Sequence, residues 1–303
     1  MATHLRACFF IFISAFSHAA PATETAAGFF LPEDVPEVAF KYKSVNNLVI
    51  LPVTINDTIR VNLILDTGCR NLVLFGKKFQ KLFKTEPDKK VQFSGLGAGD
   101  PITGQLSINN KVSIAAVIGE NIPVVLVSKQ NVFASYANIH GVIGYDILFK
   151  FEIELNPRKH LITFRTAATA MLDAGYQKIP IRVEDSRPII SSRIFFSGSA
   201  AEPCDLMIDT GSALGLLVKT SDVKKFLDVA TKVKLGRGFN GPVMGIKAAT
   251  DKLLMHTFEI AVTDANVTHS TWQNYASLGM EIMKNYAIVL NYCQGYAGLK
   301  KVL

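Results

Sequence analysis

The feature that most constrains this chain is that it is written twice. "LILDTGCRNLVLF" (63–75) sets an Asp-Thr-Gly turn between two apolar runs, and "LMIDTGSALGLLV" (206–218) repeats the arrangement about half a chain later. Two further landmarks recur in the same order. "GLGAGDPITG" (95–104) answers "GRGFNGPVMG" (236–245), and "GVIGYDIL" (141–148) answers "ASLGMEIM" (276–283); the three offsets are 143, 141 and 135. Loop-length changes after a duplication leave drift of this size. A fold for this sequence must therefore bring two like units together, and 303 residues suffice for roughly two domains with separate cores.

Each copy reads mostly as strand. "NLVILPVTI" alternates and "RVNLILD" is a nearly continuous apolar run, which predicts Asp66 at the end of a buried strand; "CDLMID" places Asp209 in the same way. The 20 Phe, with many Val and Ile, favour strands over helices. "GKKFQKLFK" and "TSDVKKFLDVA" are candidates for short amphipathic helices, the second with Thr220 or Ser221 as N-cap. The glycine-rich pieces read as hairpins, and "FEIELNPRKHLITF" as two strands about an Asn-Pro turn. "GRGFNG" also fits the dinucleotide fingerprint GxGxxG. That motif needs a helix directly afterwards, where Pro242 and Gly245 stand, and Asp100 breaks the pattern in the first copy. A hairpin accounts for both copies.

The first twenty residues carry Arg6, an apolar stretch from Cys8 to Phe16 and small residues at Ser17, Ala19 and Ala20, as a secretory signal segment does. The stretch is shorter than the roughly 20 apolar residues a bilayer span needs, and no integral membrane segment is expected elsewhere. Secretion or export to a periplasm is the expectation. The net charge of +7 is spread through pieces such as "GKKFQKLFK" and "PDKK", which read as solvated faces and not as a nucleic-acid surface. Without Cys8, three cysteines remain; Cys204 and Cys293 share the second half, which leaves a pairing between them open. There is no CxxC and no HExxH, so neither metal nor cofactor is expected. His140 and His160 read as surface or turn residues, Trp272 as packing and Asp146 as structural.

A carboxylate at the end of a buried strand is costly unless hydrogen-bonded or protonated. If the copies pack about a pseudo-twofold axis, Asp66 and Asp209 face each other. Like charges ~4 Å apart repel by roughly 4 kcal/mol at an effective dielectric of 20, or about three pKa units. Such a pair holds one proton between its members. One acid then serves as base and the other as donor, with a water between them.

Two Asp-Thr-Gly turns, each followed by a glycine-rich hairpin and then by "VIG" (142–144) or "SLG" (277–279), resemble the aspartic proteases. The length is similar to bilobal members, and the local motifs to retropepsin-like domains, including aspartyl proteases exported by some bacteria. The resemblance implies a mainly β fold: two similar closed-barrel lobes of the acid-protease type about a pseudo-twofold axis, with a few short helices. The implied division is a signal segment 1–20, a leader 21–37, lobes 38–165 and 177–303, and a linker 166–176. It further implies Asp66 and Asp209 as the catalytic acids, supported by Thr67, Gly68, Cys69, Thr210, Gly211 and Ser212. Gly95 and Gly97, with Gly236 and Gly238, would mark two flaps closing over an extended peptide substrate in a monomer.

Some positions depart from the pattern: Ser277 stands where the first copy has Val142, Cys69 follows one triplet where Ser212 follows the other, and neither hairpin holds a Tyr. A hydroxyl donates more strongly than a thiol, so the Cys69/Ser212 difference predicts that Asp66 holds the shared proton more than Asp209. Phe93 and Phe239 suit either substrate contact or hairpin packing. A non-catalytic bilobal peptide-binding or inhibitor protein is the alternative to an endopeptidase, although a pure binder gains nothing from two buried acids.

Overall fold

The computed structural model describes residues 27–302 apart from 87, 98, 129–132, 134–137, 224–225, 227–232, 271–272 and 274. The signal segment, Trp272 and most of the second helix candidate lie outside the described residues. The chain is mainly β, with three one-turn helices among the described residues. "GKKFQKLFK" forms only Lys77–Gln80; four residues close a single turn, and Phe79 is its buried anchor. No described helix is long and apolar enough to cross a membrane.

The acid strand of the first half shows why its sequence is almost continuously apolar. Leu63 and Leu65 of Ile59–Leu65 enter the main core, whereas Ile64, on the opposite face, joins a second cluster with Leu48, Val73 and Val142. Both faces are covered, so alternation disappears. The strand pairs antiparallel with Leu48–Ile55 and parallel with Gly141–Ile143. The long Ile102–Ile114 bonds to both Leu48–Ile55 and Val117–Val127, which closes the sheet on itself. The second half repeats this plan. Ala201–Asp209 lies between Arg187–Phe196 and Ala276–Gly279, and Gly241–Met255 closes the ring by pairing with Arg187–Phe196 and Asp264–His269. Even the entry turns match: Asn46-Asn47 and Asp185-Ser186 each join two strands through a pair of positive-φ residues, the geometry that suits a two-residue hairpin.

A six-stranded sheet joins the halves. Phe151–Asn156 meets Tyr286–Asn291 at its centre, flanked on one side by Leu161–Thr166 and Glu37–Lys41 and on the other by Tyr296–Lys301 and Gln177–Pro180. Phe151–Asn156 and Leu161–Thr166 turn about Asn156-Pro157 as the sequence predicts. Part of the leader is also built in, because Gly28–Phe30 pairs with Val117–Val127 and buries Phe29. Cys69, Cys204 and Cys293 are all free thiols, so the open pairing of Cys204 with Cys293 is not formed.

Candidate active site

Asp66 leaves its strand where its backbone N–H donates to the Ile143 carbonyl (2.9 Å), and Asp209 is the last residue of its own strand. Each following threonine then reaches into the other half. Thr67 Oγ1 donates to the Ile208 carbonyl (2.6 Å) and accepts from the Thr210 N–H (3.0 Å). Reciprocally, Thr210 Oγ1 donates to the Leu65 carbonyl (2.7 Å) and accepts from the Thr67 N–H (3.1 Å). Both threonines are fully buried. A hydroxyl can donate and accept at once, which is why this residue type satisfies two backbone groups from one position.

The glycines make room for the acids. A Cβ on Gly211 would lie 2.3 Å from Asp66 Cγ; one on Gly68 would lie 3.1 Å from Asp66 Oδ1 and 3.9 Å from Asp209 Oδ1. Each carboxylate also accepts from the glycine two residues on, Gly68 N–H to Asp66 Oδ1 (2.8 Å) and Gly211 N–H to Asp209 Oδ1 (3.2 Å). Asp66 is buried, while Asp209 keeps an edge open to the cleft. Burial first, and the nearby Asp209 charge second, raise the Asp66 carboxyl to about 7. Burial also raises Asp209, but the Lys219 ammonium opposes it, followed by the Gly211 N–H. The Lys219 charge thus favours the ionised form of Asp209 and biases the shared proton toward Asp66.

That direction agrees with the sequence reading, but its cause does not. Ser212 Oγ accepts from the Leu214 N–H (3.3 Å), and the Cys69 thiol donates to the Asn71 carbonyl (3.2 Å). Neither side chain donates to a carboxylate, so the Cys69/Ser212 difference is not the source of the asymmetry. The source is Lys219, which the sequence reading missed. Its counterpart in the first half is Phe75, since both occupy the same place in the strand that returns after the acid turn. A lysine ending the apolar run "LGLLV" was the available signal.

The acids lie in a cleft of about 390 Å3 lined on the first-half side by Leu48, Ile64 and Val142. A more open depression of about 580 Å3 beside Asn156 and Lys159 has no carboxylate in its lining, so of the two cavities only the dyad cleft carries acids. Both glycine-rich segments are hairpins, Val233–Gly238 returning into Gly241–Met255 and Lys90–Phe93 into Ile102–Ile114. Their tips meet over the cleft. Asn240 joins them: its side-chain oxygen accepts from the Gly95 N–H and its amide donates to the Gly99 and Asp100 carbonyls. Its backbone N–H donates to the Leu96 carbonyl (3.1 Å) and its carbonyl accepts from the Gly99 N–H (2.7 Å).

Gly97, at φ +123°, and Gly238 let the tips approach, because an added Cβ would strike Asn240 at 2.5 Å or the Leu96 carbonyl oxygen at 2.1 Å. Gly95, Gly236 and Gly238 line the cleft, whereas Gly97 belongs to the tip contact. Gly236 has open space around it, so no close approach demands glycine there. Phe239 packs among Phe75, Phe93 and Phe133 and also lines the cleft; Phe93 meets it edge-on at 6.0 Å.

The remaining departures have physical readings. Ser277 is buried and its hydroxyl has no partner, so the second half carries an unsatisfied polar atom where Val142 is apolar. Asp146 is pushed up to about 6 by burial, against the hydrogen bond from Asn71, and one of its carboxyl oxygens is unpartnered. His140 is half-buried, its Nδ1 accepting from the Asn62 N–H (3.0 Å), and His160 occupies a positive-φ turn.

Residues 51–147 match the sequence model described as "Aspartyl protease". The fold is that of the crystal structure of an aspartic proteinase from Irpex lacteus, with a TM-score of 0.59 and 11% sequence identity over 88% of this chain and 97% of that one. No curated protein matches the sequence.

Proposed function

From an aspartyl-protease sequence pattern in the first half and an aspartic-proteinase fold across both, we propose that the chain is an aspartic-type endopeptidase acting through Asp66 and Asp209. The observation that carries this reading is the reciprocal threonine bonding that sets both acids against Gly68 and Gly211 at the floor of one cleft. In the resting state Asp66 is protonated and Asp209 ionised. A water between them gives a proton to Asp209 while its oxygen adds to the peptide carbonyl carbon, and Asp66 donates its proton to the carbonyl oxygen. The resulting diol collapses as Asp209 returns a proton to the amide nitrogen and Asp66 recovers one from a hydroxyl, breaking the C–N bond.

An extended peptide fits under the hairpin tips, whose backbone groups are available to pair with it once Asn240 releases them. Both acids come from one chain, so the reading is of an active monomer. Removal of residues 1–20 would deliver it to a periplasm or the exterior. A non-catalytic binder remains the second class, and retention of both acids with their glycine N–H donors speaks against it.

Incubation with an unfolded protein between pH 3 and 8 tests the proposal. Hydrolysis blocked by the statine-containing inhibitor pepstatin is the expected result. Absence of cleavage at every pH, with the inhibitor unbound, would leave the protein as a binder.

A further inference from the structure

The two halves are unequal in charge at one matched position. Phe75 sits in an aromatic cluster with Phe133 and Phe239. Lys219, its counterpart, is only 4% exposed, and its ammonium lies 3.9 Å from the centre of the Tyr275 ring. No carboxylate among the described residues comes within 4 Å of it, although Asp209 is near enough to act on it. A cation held this deep without an ion pair is expensive. Here it lines the cleft, as do Arg187 and Arg237. Among the described residues the cleft thus has three cationic side chains and no acid besides the dyad, although Arg187 also pairs with Asp185 outside that lining, and the dyad carries about one negative charge when it shares a proton.

We propose that Lys219, aided by Arg187, forms a binding site for a substrate carboxylate on one side of the dyad, opposite an apolar side formed by Phe133 and Phe239, which pack on Phe75. The preferred substrate is then a peptide with an acidic residue on one side of the cleaved bond and an apolar or aromatic residue on the other. This inference rests on the hydrolytic reading for its consequence but not for its binding site. The duplication gives it an internal comparison, since the same strand position carries an aromatic ring in one half and an ammonium in the other. Burial lowers Lys219 to about 8, against the pull of Asp209, so it stays charged where the dyad shares its proton. The groups that face it are Asp209, Arg187 and Tyr275.

The experiment compares peptides identical except for Glu or Gln at the two positions flanking the cleaved bond, assayed with wild type, Lys219→Met and Lys219→Arg. A Glu-over-Gln preference in kcat/KM of at least about tenfold is expected on one side only, the size of one charge-assisted contact. Lys219→Met should reduce that ratio to near one, and Lys219→Arg should keep it. If Lys219 served only to tune Asp209, the methionine variant would slow Glu and Gln peptides alike and leave the ratio intact.

Non-cleavable hydroxyethylene versions of the same peptides, read by calorimetry, separate the two readings. Tighter binding of the Glu version that is lost in Lys219→Met, without cleavage of any peptide, upholds the carboxylate site and removes the hydrolytic proposal. Cleavage with no charge preference overturns the site and leaves hydrolysis standing. Equal or absent binding of both versions also overturns the site.

Discussion

Asparagine in place of either Asp66 or Asp209 is expected to lower kcat/KM for peptide hydrolysis by at least about 10³-fold, the upper part of the range for losing an acid–base group. The change is nearly isosteric, and the Asn oxygen can still accept from Gly68 or Gly211. What disappears is the ability to hold and pass a proton. Either loss is sufficient, because one acid must take the water's proton while the other supplies the carbonyl's. Folding is not expected to suffer, since a buried acid costs stability when its neighbour is charged. A chain unfolded by either substitution would show that the acids serve structure first. Loss in only one variant would mean that the site is assembled from two chains.

Thr67→Val has the second largest expected effect, on stability. Valine keeps the shape of threonine but strands two backbone groups, the Ile208 carbonyl and the Thr210 N–H, in a place closed to water. Each buried group left unpaired costs about 1–3 kcal/mol, so a total near 3 kcal/mol is expected. Thr210→Val should match it, stranding the Leu65 carbonyl and the Thr67 N–H. Urea unfolding of the wild type and both variants measures the loss. A change below about 0.5 kcal/mol, the scale of an ordinary surface substitution, would contradict the reading that these bonds hold the halves together. Activity should fall as well, because each threonine anchors the loop of the opposite acid.

Much of this was legible because duplication compares the sequence with itself. The Asp-Thr-Gly triplets, the hairpins and the "VIG" and "SLG" elements stand at matched places in the fold, and Val142 and Ser277 both lie on strands beside the acid strands. Periodicity found the strands but not their lengths. Ile102–Ile114 and Gly241–Met255 run well past the glycine-rich tips, since one strand serves both the flap and the closed sheet, and local pattern does not record two tasks. The first helix candidate is shorter than its pattern for a related reason: amphipathic spacing in "GKKFQKLFK" needs only one buried turn to place Phe79.

At the site, the acids and threonines could be read from the motif, whereas Asn240, Lys219 and Arg187 could not. Asn240 acts through contacts with residues about 140 positions away. Lys219 and Arg187 matter through distance to a carboxylate, which spacing along the chain does not encode. The Cys69/Ser212 expectation failed because it assumed where two side chains point. Both instead bond to nearby backbone.

The dependence of kcat/KM on pH tests most directly whether the two acids share one proton. A bell is expected: its alkaline limb falls near pH 7, where Asp66 loses the proton that burial and Asp209 make it keep, and its acid limb lies above the ordinary carboxylate range because burial raises Asp209. A rate that climbs without a limb through pH 8 would contradict the account, since water would then be activated without a protonated partner.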